Sequence, residues 1–199
     1  MKTKEKRSEK RRSQILDAAT TVFTRQGFEK ARMDDIVDEA NLSKGTLYWY
    51  FKSKNDIIYA ILERIFNAEF NSVLEQIGPD SSAVDQLNQF ISLMLADLKK
   101  MEPIMPLMYD FFALGFRQRI VRNFMGTYLR KFVHMLEPII EKGVQEGAFR
   151  AVNAREAALA IGAVLEGTIL LRAYDPDNVV LDSQIRAGMD LLIQGMLKQ

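Results

Sequence analysis

The chain of 199 residues carries a formal net charge of +1, is 48% hydrophobic, and contains one histidine and no cysteine. Without cysteine there are no disulfides or thiolate metal centres, and the familiar nucleophile, phosphate-loop and metal motifs are missing, so no cofactor or metal is expected and a helical enzyme is the weakest functional reading. The N-terminus lacks the apolar stretch of a signal peptide and no run approaches the roughly 18–20 apolar residues of a membrane span, so a soluble, cytoplasmic protein with no membrane partner is expected.

Charge is unevenly placed. Residues 1–60 hold 13 Lys and Arg against 9 Asp and Glu, whereas residues 61–199 hold 14 against 17. The basic end opens with Lys2, Lys4, Lys6, Arg7, Lys10, Arg11 and Arg12. Such an arm can contact phosphates or a minor groove, and it fits a solvated terminus as well. A first helix is predicted over about 8–26, with Ile15, Ala19, Val22 and Phe23 on its buried face and Gly27 ending it. Met33, Ile36, Val37 and Ala40 then recur at helical spacing, and Asn41 suits the left-handed turn that closes this second helix. Ser43 can cap a third helix, which Leu47 and Phe51, four apart, anchor to a core. Lys44, Thr46, Tyr48 and Trp49 are left for a partner, and helix, tight turn, helix is a DNA-reading unit.

Ser53 with Asp56 forms a variant capping box that opens a fourth helix through Ile57, Ile58, Ile61, Leu62, Ile65, Phe66 and Phe70 to about residue 77. Gly78-Pro79-Asp80 stops it. Further helices are predicted over about 82–100, 103–114, 117–146, 153–173 and 181–197, with a kink at Pro138 in the long one. No segment has the β period, so the fold is expected to be all-α with about nine helices.

The run Ile15-Leu16-Asp17-Ala18-Ala19 with Phe23 and Gly27-Phe28, then Met33-Asp34-Asp35-Ile36-Val37, then Ser43-Lys44-Gly45-Thr46-Leu47-Tyr48-Trp49-Tyr50-Phe51 and Lys52-Ser53-Lys54, resembles the tetracycline-repressor (TetR) family of bacterial transcription regulators over roughly residues 10–62. Two positions depart from the family pattern: Arg32 stands where a Thr cap is usual, and Asn41 where Gly is usual. The resemblance implies a helix-turn-helix DNA-binding domain with a basic arm at 1–52 and a ligand-binding and dimerisation domain at 53–199. Lys44 and Thr46 are the expected base readers, by donation to guanine and by methyl or hydroxyl contact, while Gly45 allows close approach. Tyr48 and Lys54 are expected to position the phosphate backbone, Trp49 to lie near it, and Tyr50 to lie near it or against the core. Arg32 could reach a phosphate, and Met33 and Ser43 complete the expected DNA-contacting set.

Between residues 66 and 174 Met and aromatic residues are concentrated: Phe66, Phe70, Met94, Met105, Met108, Tyr109, Phe112, Phe116, Phe124, Met125, Tyr128, Phe132 and Tyr174. Core packing explains many such residues, and an adaptable, polarizable cavity wall explains them too. The resemblance implies an effector pocket here for a lipophilic small molecule. Glu166 or Asp110 could face a cationic ligand, and Arg119 or His134 an anionic one. On the last two helices Ala158, Ile161, Gly162, Leu165 and Ile169, and Ile185, Met189, Leu192 and Met196, form apolar faces that suit a homodimer built as a four-helix bundle, with ordinary core packing as the alternative. A two-fold pair of reading heads would recognise a palindromic operator in double-stranded DNA. The resulting expectation is a ligand-released repressor, with a ligand-independent structural DNA binder as the alternative.

Overall fold

The computed structural model describes residues 2–78 and 80–198, with side chains for residues 6–66, 76–78 and 80–198. Among the described residues the chain forms nine α-helices and one short 3-10 turn: α1 Lys2–Gln26, α2 Met33–Ala40, α3 Lys44–Tyr50, α4 Lys54–Gln76, α5 Ala83–Met101, the turn Glu102–Ile104, α6 Met105–Arg117, α7 Arg119–Gln145, α8 Ala154–Tyr174 and α9 Leu181–Met196. The all-α expectation holds. The first helix begins six residues earlier than predicted because its basic run is made of good helix formers with no Gly or Pro to stop it. It ends at Gln26 because Gly27 takes a left-handed conformation, φ 78°. Pro138 lies inside α7 without ending it.

Packing divides the chain into two compact units, one of residues 1–68 with 101–121 and the other of 69–100 with 122–199. These units are discontinuous in sequence, so they do not coincide with a single cut after residue 52; α6 packs with the helix-turn-helix. In the first unit Ile15, Ala19, Val22, Phe23, Ile36, Leu47, Ile57, Ile58 and Ile61 are sealed from solvent. The rings of Phe23 and Phe28 meet edge to face at 5.3 Å. Gln14 Nε2 donates to the Ala40 carbonyl at 2.8 Å, satisfying the end of α2 from α1. Arg64 on α4 pairs with Asp17 on α1 at 2.6 Å.

The second unit is centred on Phe90, Leu136, Ile140, Ala158, Ile161 and Ile185, all buried. Phe132 lies edge to face with Phe90 at 5.7 Å. A Cβ on Gly162 would come 3.2 Å from the Phe132 ring, and one on Gly188 would come 2.7 Å from a Val164 methyl. These two glycines let α7 and α9 of the same chain approach α8 closely.

Most of the expected dimer face is already covered within the chain itself. Ala158, Ile161, Gly162, Leu165, Ile185, Met189 and Met196 are buried in the chain's own core, and Ile169 and Leu192 are half-buried. Side chains already covered offer a second subunit nothing further to bury. The neighbour that approaches Gly162 is Phe132 of the same chain. The large apolar side chains of these helices that are most exposed are Leu159, Leu170, Leu171 and Tyr174 on α8 and Leu191 on α9. One expectation about membranes is also corrected: α8 is long and apolar enough to cross one by length and composition. Its charges cluster at the ends, Arg155 and Glu156 against Arg172, with Glu166 between, while one side packs in the core and the other carries the exposed leucines.

Candidate nucleic-acid interface

The reading unit is assembled by short-range chemistry. Asn41 adopts the left-handed conformation, φ 50° and ψ 53°, which Asn tolerates better than most residues. Its N–H donates to the Asp38 carbonyl and that of Leu42 to Val37, both at 3.1 Å, so the end of α2 is satisfied and the chain turns. At the start of α2, Arg32 offers no acceptor, and the cap is instead one-sided: Asp35 accepts the Arg32 N–H at 2.8 Å. Ser43 caps α3 by accepting the Thr46 N–H at 3.2 Å, and the two hydroxyls lie 2.8 Å apart. Leu47 and Phe51 are buried at 0% and 4% exposure, as their spacing predicts.

The opposite side of α3 faces outward. Ser43, Lys44, Gly45, Tyr48 and Trp49 are exposed and Thr46 is half-buried. Trp49 stacks edge to face on half-buried Tyr50 at 4.6 Å. A Cβ on Gly45 would meet nothing of the protein within 4 Å. Arg32 is exposed and Met33 half-buried at the start of α2. Lys44 Nζ lies 2.7 Å from Asp34 Oδ1, and the hydrogen bond and the charge of Asp34, in that order, raise the Lys44 pKa above its usual 10.5. Along α1, Lys6, Arg7, Lys10 and Arg12 are exposed, and the Arg12 guanidinium sits 5.5 Å over the Phe51 ring. The side chains of Lys2 and Lys4 lie outside the described residues.

Lys54 has a different setting from the one expected. Its ammonium donates to the carbonyls of Phe28, of Glu29 at 3.1 Å and of Ala31 at 2.9 Å, and it lies 4.3 Å from the centre of the Phe28 ring. Partial burial lowers its pKa from 10.5, against the raising effect of Glu29. All three of its N–H bonds are committed to the turn between α1 and α2, so here the lysine acts as a staple and not as a free cation for phosphate. The same turn is held from the other side by α6: the Asp110 carboxylate accepts the Phe28 N–H at 2.8 Å. Asp110, considered from sequence as a partner for a cationic ligand, is engaged with the backbone of the reading unit. Neither contact has a local sequence signal.

The residues expected to line a ligand pocket are divided between the two units. In the first, Phe66, Met105 and Met108 are buried, Tyr109 and Phe112 are half-buried, and Phe116 is 85% exposed. In the second, Phe132 is core, Met94, Phe124, Met125 and Tyr128 are half-buried, and Tyr174 is 74% exposed. Phe116 and Tyr174 therefore stand out in solvent instead of facing an enclosed space in their own units. Phe70 lies outside the described side chains. Glu166 is reached by solvent on one side, yet the surrounding protein mass raises its carboxyl pKa by desolvation. His134 and Arg119 are exposed. A solvent-open recess between α8 and α9 is lined by Arg150, Asn153, Glu156, Leu191 and Leu192, and includes none of the expected ligand residues.

Comparison with known proteins agrees with the geometry of the first unit. Residues 15–61 match the family described as bacterial regulatory proteins, tetR family. Over 193 residues, 94% of this chain and 91% of the relative, the chain is 24% identical to the HTH-type transcriptional repressor KstR2 of Rhodococcus jostii. The fold is shared with a protein from Saccharomonospora viridis solved in complex with choline, with a TM-score of 0.84, 19% identity, and coverage of 96% of this chain and 100% of that one. It is shared also with the regulator FadR from Bacillus subtilis in complex with stearoyl-CoA, with a TM-score of 0.79, 22% identity, and coverage of 92% and 98%.

Proposed function

We propose that this chain, whose residues 15–61 match the tetR family of bacterial regulatory proteins, is a ligand-responsive repressor that binds a palindromic operator as a homodimer and is released by a lipophilic small molecule. The observation that carries the reading is the two-sidedness of α3, with Leu47 and Phe51 sealed beneath and Lys44, Gly45, Tyr48 and Trp49 exposed above. Gly45 supports it further. A Cβ there would meet nothing within 4 Å among the described residues, so packing within the chain does not require a glycine. A closely approaching DNA backbone accounts for its presence.

In this reading residues 1–52 carry DNA recognition and 53–199 carry effector binding and dimerisation. Lys44 and Thr46 contact bases, while Tyr48, Trp49, Ser43 and Arg32 contact the phosphate backbone, with Met33 at the edge of the interface. Lys54 acts through the turn that it staples. The second subunit covers the outer side of α8 and α9, at Leu159, Leu170 and Leu191, because these are among the leucines a monomer leaves exposed. The stearoyl-CoA complex of the Bacillus subtilis regulator and the Met and aromatic residues of this chain support a lipophilic effector.

Release requires the effector to favour an arrangement that DNA disfavours, and DNA must then weaken the effector by the same factor. The helix α6 suits that coupling, since it carries Met105, Met108 and Phe112 and also holds the Phe28 turn through Asp110. The test is selection of bound duplexes from a random DNA pool, followed by titration of the winner with lipophilic cations and fatty acyl compounds. An enriched palindrome released by a panel member is the expected result. No enriched sequence would overturn the operator reading, and an enriched duplex that no compound releases would leave the ligand-independent DNA binder.

A further inference from the structure

The first turn of α2 and the first residue of α3 meet on the face that the operator reading turns toward DNA, and this inference rests on that reading. There Lys44 Nζ and Asp34 Oδ1 stand 2.7 Å apart, with the two side chains 62% and 64% exposed. The adjacent carboxylate, Asp35, is used structurally: it accepts the Arg32 N–H at 2.8 Å and the Gln26 amide at 3.0 Å. Asp34 has no such task beyond a favourable place near the N-terminus of α2. Exposed ion pairs contribute little to stability, and a carboxylate on a surface that meets phosphates opposes binding. Its position therefore calls for a part in recognition.

We propose that Asp34 and Lys44 read one G·C base pair as a unit, which makes Asp34 a specificity-determining residue. In the major groove, guanine O6 is an acceptor and the cytosine N4 amino group a donor. Watson–Crick pairing joins these two atoms, so they lie about 2.9 Å apart. That spacing matches the 2.7 Å between Nζ and Oδ1. With the ion pair intact, the ammonium donates to guanine O6 and N7 while the carboxylate accepts the N4–H of cytosine. Each charge keeps its partner as water leaves, so neither is desolvated alone. An A·T pair also sets an acceptor beside a donor, but thymine O4 has no second acceptor on the same base and carries a methyl group next to it. Against a phosphate the unit is poor, because the carboxylate repels the phosphate and retains the ammonium.

The experiment uses the full chain. Wild type, D34A, D34N, D34E and K44A are each taken through selection from a random duplex pool, then titrated over a salt series against the wild-type winner and a scrambled duplex. D34A and K44A are expected to lose preference at the same base pair of each half-site, and D34E to restore it. D34A is expected to bind the scrambled duplex more tightly, with a salt slope steeper by about 0.9 for each lysine released to a phosphate. The ratio of specific to scrambled affinity should fall roughly 10-fold, the scale of one lost base-pair contact. D34N, which keeps the size and an accepting oxygen but removes the charge, should still give the tighter scrambled binding, the steeper salt slope and a lower ratio, and supplies those readings if D34A folds poorly. Unchanged base preference and ratio in D34A and D34N, with K44A altered, would overturn this inference alone. A wild type that enriches no sequence would overturn the operator reading and this inference with it.

Discussion

The carboxylate of Asp110, on α6, accepts the backbone N–H of Phe28 at 2.8 Å across 82 residues of sequence. Phe28 lies in the turn that leads from α1 into the helix-turn-helix, and Lys54 on α4 holds the carbonyls of the same turn. Two helices outside the reading pair thus fix the angle at which α2 enters it.

Replacing Asp110 with Ala leaves the Phe28 N–H without its acceptor, a loss of about 1–3 kcal/mol for a group removed from water. In a chain of this size the melting temperature is expected to fall by ~2–12 °C. Operator affinity should fall with it, since the loosened turn no longer sets α2. Asp110→Asn keeps an accepting oxygen and should retain most of both. Thermal unfolding and fluorescence anisotropy with the selected duplex check this; an Asp110→Ala protein with unchanged stability would show that the hydrogen bond does not hold the turn.

Tyr48→Ala and Lys54→Ala separate contact from support. Tyr48 lies on the outward side of α3 at 36% exposure and is not buried in the core, so its removal should weaken binding to all duplexes at a stability cost below about 1 kcal/mol. Lys54 serves three carbonyls, and its removal should lower both stability, by ~1–3 kcal/mol, and affinity. A Lys54→Ala variant that binds DNA weakly at wild-type stability would restore the direct phosphate role.

The exposed leucines of α8 and α9 and the buried residues between them predict opposite outcomes for the same substitution. Leu170→Asp with Leu191→Asp should give a folded monomer by sedimentation, with operator affinity reduced at least ~100-fold because one half-site alone remains bound at a time. Ile161→Asp buries a charge in the core and should abolish folding, at a cost of several kcal/mol. A double leucine variant that sediments as a dimer would place the subunit contact elsewhere.

Gly143 lies beneath Phe149, where a Cβ would come within 2.1 Å of the ring. Phe149 returns over α7 because Gly147 is left-handed, φ 75°, and the Phe149 N–H donates to the Gly143 carbonyl at 2.9 Å. Gly143→Ala must push the ring out and disturb the adjoining bonds from Arg150 to Met196 and from Lys198 to Ala148. A loss of about 1–3 kcal/mol is expected from such overpacking, read as a lower midpoint in urea unfolding. A midpoint equal to wild type would mean that the ring moves aside freely.

Much of this protein was determined by local sequence. The reading unit needs only neighbours: Asn41 for a left-handed turn, Ser43 for a cap three residues from Thr46, and Leu47 with Phe51 one helical turn apart. Helix boundaries set by Gly27 and Gly147 follow from the same short-range rules. Tertiary structure decided what those rules leave open. In α8, apolar residues line both the packed and the exposed side, so periodicity does not say that Ile161 and Leu165 turn inward while Leu159 and Leu170 turn outward. The roles of Lys54 and Asp110 depend on carbonyl and amide groups 26 and 82 residues away. A helix pattern states which residues share a face; which face meets which neighbour is set by the packing of the whole chain, where burial and hydrogen-bond satisfaction are decided together.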